Sequence, residues 1–159
     1  MLSNILGSFD MSDNVYKKLH GYFLEDLSVG QSASLLKKIT EKDIMVFSTL
    51  TGDKNPVHVN DDFAKTTIFK KKIAHGFLSA SFISTVIATK LPGPGSIYLS
   101  QNLKFLAPVF IDDEVITKVT IKTIDFLKKR VLLNTESFIL EKKIITGEAL
   151  VLVDSKKDL

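Results

Sequence analysis

The chain has 159 residues, enough for one domain that buries roughly 68–70% of its unfolded surface without help from metal or crosslinks. It has no cysteine, which excludes disulfides, thiolate metal sites and a cysteine nucleophile, and suits a reducing, cytoplasmic setting. A formal charge of +3 from scattered lysines does not mark a nucleic-acid binder, and no apolar run approaches the roughly 18–20 residues that cross a bilayer.

Residues 1–20 are polar and weakly periodic, without a basic segment and apolar core of signal-peptide type, and read as a loosely attached leader. Residues 21–159 read as a single domain. The turn signal Val29-Gly30 precedes a short strand, about Ser32 to Ile39. Thr40 then suits an N-cap, and Glu41 and Asp43 favour the dipole of a helix carrying Ile44, Phe47 and Leu50 to the core. That helix ends near Thr51-Gly52, and Asn60 can cap a second short one. The run Lys70-Lys71-Lys72 reads as a solvated face.

From Phe77 to Leu91 there is neither glycine nor proline, and apolar residues fall on most sides, so the spacing predicts a buried helix. Pro92-Gly93-Pro94-Gly95 stops it, and the pattern changes to period two. Strands are expected over Ser96 to Phe105, Val115 to Asp125, Val131 to Leu140 and Ile144 to Val153. The links are short, which implies antiparallel neighbours in a meander. One buried helix plus long antiparallel strands makes an α+β fold, a curved sheet wrapped around a long central helix.

The stretch Asp53-Lys54-Asn55-Pro56-Val57-His58 sets a carboxylate and an imidazole five residues apart across an Asn-Pro bend. Such a bend can bring both groups to one point as an acid–base pair. A second histidine, His75, opens His75-Gly76 at the mouth of the apolar helix. Each residue has a plain structural alternative: an Asx turn for Asp53, a turn glycine for Gly76, and helix packing for Ser84.

Taken together, the order and spacing of these residues resemble the MaoC-like hydratases of the hot-dog fold, and among them the (R)-specific enoyl-CoA hydratases. The resemblance runs from about Tyr22 to Val153. It rests on Asp53-x-Asn55-Pro56-x-His58, Phe63-Ala64, Thr66-Thr67-x-Phe69 and Ile73-x-His75-Gly76. It continues through Pro92-Gly93-x-Gly95-Ser96-Ile97-Tyr98-Leu99-x-Gln101, Pro108-Val109-Phe110, Asp113-Glu114-Val115 and Thr146-Gly147-Glu148-Ala149. One departure is Lys72, where the family often has proline before the isoleucine; without that ring the loop entering the helix is expected to be looser.

The resemblance implies reversible hydration of a trans-2-enoyl thioester to the (R)-3-hydroxyacyl product. Asp53 and His58 would hold the water, and the backbone N–H of Gly76 would face the thioester oxygen. Asn55 and Pro56 would shape the loop, His75 its turn, and Ser84 would lie near the site. Neither a cofactor nor a metal is expected, because the chemistry needs only an acid, a base and hydrogen-bond donors. The expected partners are an acyl-CoA or acyl-carrier thioester and a second copy of the chain. A dehydratase acting on acyl carrier protein, an acyl-CoA thioesterase and a non-catalytic acyl-binding module are the alternatives.

Overall fold

In the computed structural model, which describes residues 11–158, the strands form a five-stranded antiparallel sheet in the order β1-β3-β4-β5-β2. These are β1 (Ser32–Lys38), β2 (Ile97–Phe105), β3 (Glu114–Asp125), β4 (Arg130–Ile139) and β5 (Lys142–Leu152). In chain order the helices are α1 (Met11–Leu19), α2 (Glu41–Thr51), α3 (Pro56–Val59), α4 (Asp61–Thr66) and α5 (Gly76–Thr89). The α+β hot-dog layout expected from the sequence is present, with α5 packed on the sheet.

The alternation of the strands decides which face is inside. Val115, Thr117, Val119 and Ile121 of β3 and Val131, Leu133, Thr135 and Ser137 of β4 are all buried, and they lie two residues apart as a pleated strand requires. Ile83, Val86 and Ile87 of α5 meet this face, and Ile39, Ile44 and Leu91 close its margins. The polar members are not orphans throughout: the Thr117 and Ser137 hydroxyls bond to each other at 2.9 Å.

Four expectations change. The strands from Ile97 onward do not form a simple meander, because β2 pairs with β5 and leaves β3 beside β1. The link from β2 to β3 contains Pro108, and its Val109 carbonyl accepts from Ala74 N–H at 2.8 Å. Its backbone is thus spent on the segment before α5, not on a hairpin. Leu50 is 81% exposed, since Ile44, Phe47 and Ser48 are the α2 side chains turned toward the core.

Helix α5 is buried along Leu78, Ser79, Ala80, Ile83, Val86 and Ile87, but Phe77, Ser81, Ser84, Thr85 and Ala88 are exposed. Lys72 is not on a solvated face. Its side chain is only 9% exposed and its ammonium bridges Glu41 at 2.5 Å and Asp61 at 3.2 Å. The loop entering α5 is therefore pinned to α2 and α4 by charge at the position where a proline ring was missing. Lys71 lies over the Phe110 ring at 4.2 Å.

Within the expected leader, residues 1–10 lie outside the described residues, while Met11–Leu19 form α1. The Tyr16 hydroxyl donates to the Asp154 carboxylate, which holds the Tyr16 pKa up at about 12. Gly21 and Tyr22 donate to the carbonyls of Pro94 and Pro92, both at 2.8 Å.

Candidate active site

The site is built on the overhang between α2 and α5. Gly52 ends α2 with φ +79, a left-handed conformation that glycine adopts without steric cost, and turns the chain toward Asp53. Two Asx turns follow. Asp53 Oδ1 accepts from Asn55 N–H at 3.1 Å, and Asn55 Oδ1 accepts from Val57 N–H at 3.2 Å. Pro56 occupies the first turn of α3, where its missing N–H costs nothing. These steps deliver His58 on a single helical turn. Asp53 therefore is an Asx-turn residue and also belongs to the site; the two readings do not exclude each other.

The three polar groups meet. Asp53, His58 and His75 each offer one ligand-type atom, all within 4.8 Å of one another. The backbone fixes both imidazoles. His58 Nδ1–H donates to the Ile73 carbonyl at 2.8 Å, and His75 Nε2–H donates to the Asp53 carbonyl at 3.0 Å. A carbonyl only accepts, so each tautomer follows from its partner. His58 keeps Nε2 as a free lone pair, and His75 keeps Nδ1. Ser48 Oγ also donates to the Asp53 carbonyl, at 2.7 Å. His75 is buried against Phe47 and His58 and acts as a strut beneath Asp53.

Desolvation by burial pushes the His58 pKa below its ordinary 6.5, helped by neighbouring His75; the Ile73 carbonyl and the Asp53 charge pull the other way and lose. His58 is thus a neutral imidazole near pH 7.

A cavity of about 320 Å³ opens beside these groups, lined by His58, Gly76 and Ser79 and by apolar atoms of Phe69, Phe105, Val109 and Ile145 among others. Gly76 is the first residue of α5, whose N-cap, His75, gives no side-chain cap. The first N–H groups of a helix lack intrahelical acceptors and carry the positive end of its dipole. A Cβ on Gly76 would lie 3.0 Å from the Phe105 ring, so glycine keeps this approach open.

Ser84 is not brought to the cavity. Eight residues at 3.6 per turn leave it rotated by about 80° from Gly76, and it is exposed. Ser79 takes the place beside the cavity, as the i+3 neighbour of Gly76. Ser48 was missed, and its signal was its spacing of one turn from Ile44 on the buried face.

As a metal site the group is poorly arranged. The two imidazoles stack with centroids 3.9 Å apart and planes 32° apart. Among the described residues no helix is long and apolar enough to cross a membrane.

Comparison with known proteins gives the family. A family model described as MaoC like domain matches residues 28–142. The chain is 51% identical over 135 residues to the (R)-specific enoyl-CoA hydratase of Rhodospirillum rubrum, covering 85% of this chain and 94% of that one. It is 40% identical over 141 residues to the 3-hydroxybutyryl-CoA dehydratase of Methylorubrum extorquens, covering 89% and 90%. The unliganded R-hydratase PhaJ1 from Pseudomonas aeruginosa superposes with a TM-score of 0.82 at 39% identity, covering 87% of this chain and 89% of that one. The chain belongs to the MaoC-like dehydratase family.

Proposed function

We propose that the protein is a hydro-lyase that reversibly hydrates trans-2-enoyl-CoA to (R)-3-hydroxyacyl-CoA. The observation that carries the reading is His58, held through Nδ1 by the Ile73 carbonyl and grouped with the Asp53 carboxylate within 4.8 Å, on a cavity that also reaches the uncapped start of α5. A relative 51% identical over 135 residues bears this activity in its name.

The mechanism follows from the three parts. Water sits between Asp53 and His58. His58 Nε2 takes one of its protons as the water oxygen bonds to C3. The π electrons of the C2–C3 bond move to C2 and into the thioester, whose oxygen gathers negative charge. The Gly76 N–H and the α5 dipole meet that charge. The dyad then returns the proton to C2, and the thioester oxygen loses its charge. One water and one dyad serve both carbons from one face, so addition is syn. The acid and base roles are shared between the two groups.

CoA, or an acyl carrier, enters as part of the substrate, and no step uses a resident cofactor. A homodimer suits the surface. Strand β2 is at the edge of the sheet, and Ile97, Tyr98, Leu99 and Phe105 on it are exposed, next to the uncovered strip of α5. An apolar edge of this kind invites a second copy; sedimentation at micromolar concentration checks it. The test of the activity is stereochemical: crotonyl-CoA should give the (R)-3-hydroxy product. Release of free CoA without loss of enoyl absorbance would make the protein a thioesterase, and an (S) product would break the mechanism.

A further inference from the structure

Ser79 has a hydroxyl that the reaction above does not use. It is 1% exposed, lines the cavity, and its Oγ has no hydrogen-bond partner among the described residues. Buried polar atoms are seldom left that way. Other hydroxyls on α5 are satisfied within the helix: Ser81, Thr85 and Thr89 donate back to the carbonyls of Leu78, Ser81 and Thr85. The corresponding acceptors for Ser79 are the carbonyls of Gly76, three residues back, and His75, four residues back, and its hydroxyl is bonded to neither. The His75 oxygen already accepts from Leu78 N–H at 3.1 Å and from Ser79 N–H at 3.4 Å, which occupies both of its lone pairs. His75 Nδ1 is not bonded to it either. Of the other side chains that line the cavity only His58 is polar, and it is not bonded to Ser79.

Direction supplies the rest. Helical side chains lean toward the helix N-terminus, over the preceding turn. The turn preceding Ser79 begins at Gly76, so its hydroxyl leans toward the place where the uncapped N–H meets the substrate. A single backbone N–H is one donor, whereas an oxygen gathering negative charge accepts two. A hydroxyl can rotate to donate, and in a desolvated position that bond is stronger than it would be in water.

We propose that Ser79 is a catalytic residue, donating from Oγ the second hydrogen bond to the thioester oxygen held by Gly76 N–H. This rests on the thioester-hydration reading, and it makes the free hydroxyl a group reserved for substrate.

The experiment compares wild type with Ser79→Ala in two measurements. With crotonyl-CoA, kcat should fall by about 10–100-fold, at or below the usual loss for one oxyanion donor, while KM moves less than about threefold. In the complex with butyryl-CoA, a saturated thioester that cannot be hydrated, the ¹³C-edited carbonyl band should shift to higher frequency in the variant, because the bond is less polarised. The melting temperature of the free variant should be unchanged or higher, since an unpartnered buried hydroxyl has been removed. A kcat within threefold of wild type, or an unshifted carbonyl band, overturns the assignment. If the alanine variant fails to fold, Ser79→Cys, close in size and a weak donor, carries the same two measurements. If wild type does not hydrate crotonyl-CoA, the hydratase reading falls by itself, and the butyryl-CoA band still decides whether Ser79 touches the thioester.

Discussion

The sheet and the overhang at residues 40–76 are held together by different means. In the sheet, β3, β4 and β5 pair along nearly their whole length, and buried side chains recur every second residue. Losing any one contact leaves many equivalent ones. The overhang depends on bonds that occur once: Ser48 and His75 on the Asp53 carbonyl, His58 on the Ile73 carbonyl, and Lys72 between Glu41 and Asp61. Repetition supplies stability, and single bonds supply orientation. Substitutions in the two regions should then fail in different ways.

The largest effect is expected at the overhang, on activity. Asp53→Asn and His58→Asn should each lower kcat for crotonyl-CoA by about 10²–10⁴-fold, the usual contribution of a positioned acid or base. Asp53 is exposed, and in Asp53→Asn its carbonyl still accepts from Ser48 and His75, so the melting temperature of that variant should stay close to wild type. Near-normal turnover in either variant would remove that residue from the dyad. In the sheet the outcome reverses. Leu133→Ala, at a position with 0% exposure, should cost about 2–5 kcal/mol of stability in denaturant unfolding. The kcat per folded molecule should barely change. A large drop in kcat at full folding would mean that the sheet tunes the chemistry.

The same contrast explains what could be read from the sequence. Strand alternation and the unbroken apolar stretch after Gly76 gave the sheet and α5 to within a residue or two, because burial on one face imposes a period that the residues must follow. Strand order was another matter. Whether β2 turns back on β3 or crosses to β5 depends on Ala74 capturing the Val109 carbonyl, a bond between segments more than thirty residues apart that leaves no local pattern. Asp53, His58 and Gly76 were legible because they form a spaced motif with a chemical reason. Ser79 and Lys72 were not. The free hydroxyl of Ser79 comes from its burial beside the cavity, and the burial of Lys72 from carboxylates on α2 and α4, neither of which is visible one residue at a time.

Lys72 gives the next prediction, of smaller size. Lys72→Met keeps the buried stem but removes the charge between Glu41 and Asp61. Both carboxylates are mostly exposed, at 60% and 66%, and rehydrate once released. The loss should therefore be near the exposed-pair range, about 1 kcal/mol, and not that of a fully buried pair. Hydrogen exchange should show where it falls: the amides of Ile73 and Ala74 should exchange faster, while those of β3 and β4 stay protected. Uniform loss of protection would mean that the overhang and the sheet unfold as one unit.

The smallest effect is one of pH, and it links both regions through His58. Its folded pKa lies below the ordinary 6.5, with desolvation the leading cause. Between 6.5 and the lower folded value, the unfolded chain takes up a proton that the folded site refuses. This group's contribution to stability is thus present above about pH 6.5 and is lost as pH falls through the folded pKa. Activity should follow the same group. The acidic limb of kcat/KM should bend below pH 6.5, because the free Nε2 lone pair persists to that point. Asp53 raises the His58 pKa, so Asp53→Asn should move the bend of its residual activity further down. A wild-type limb centred above pH 7, or one that moves upward in Asp53→Asn, would show that His58 is charged in the resting site and cannot be the group that takes the water's proton.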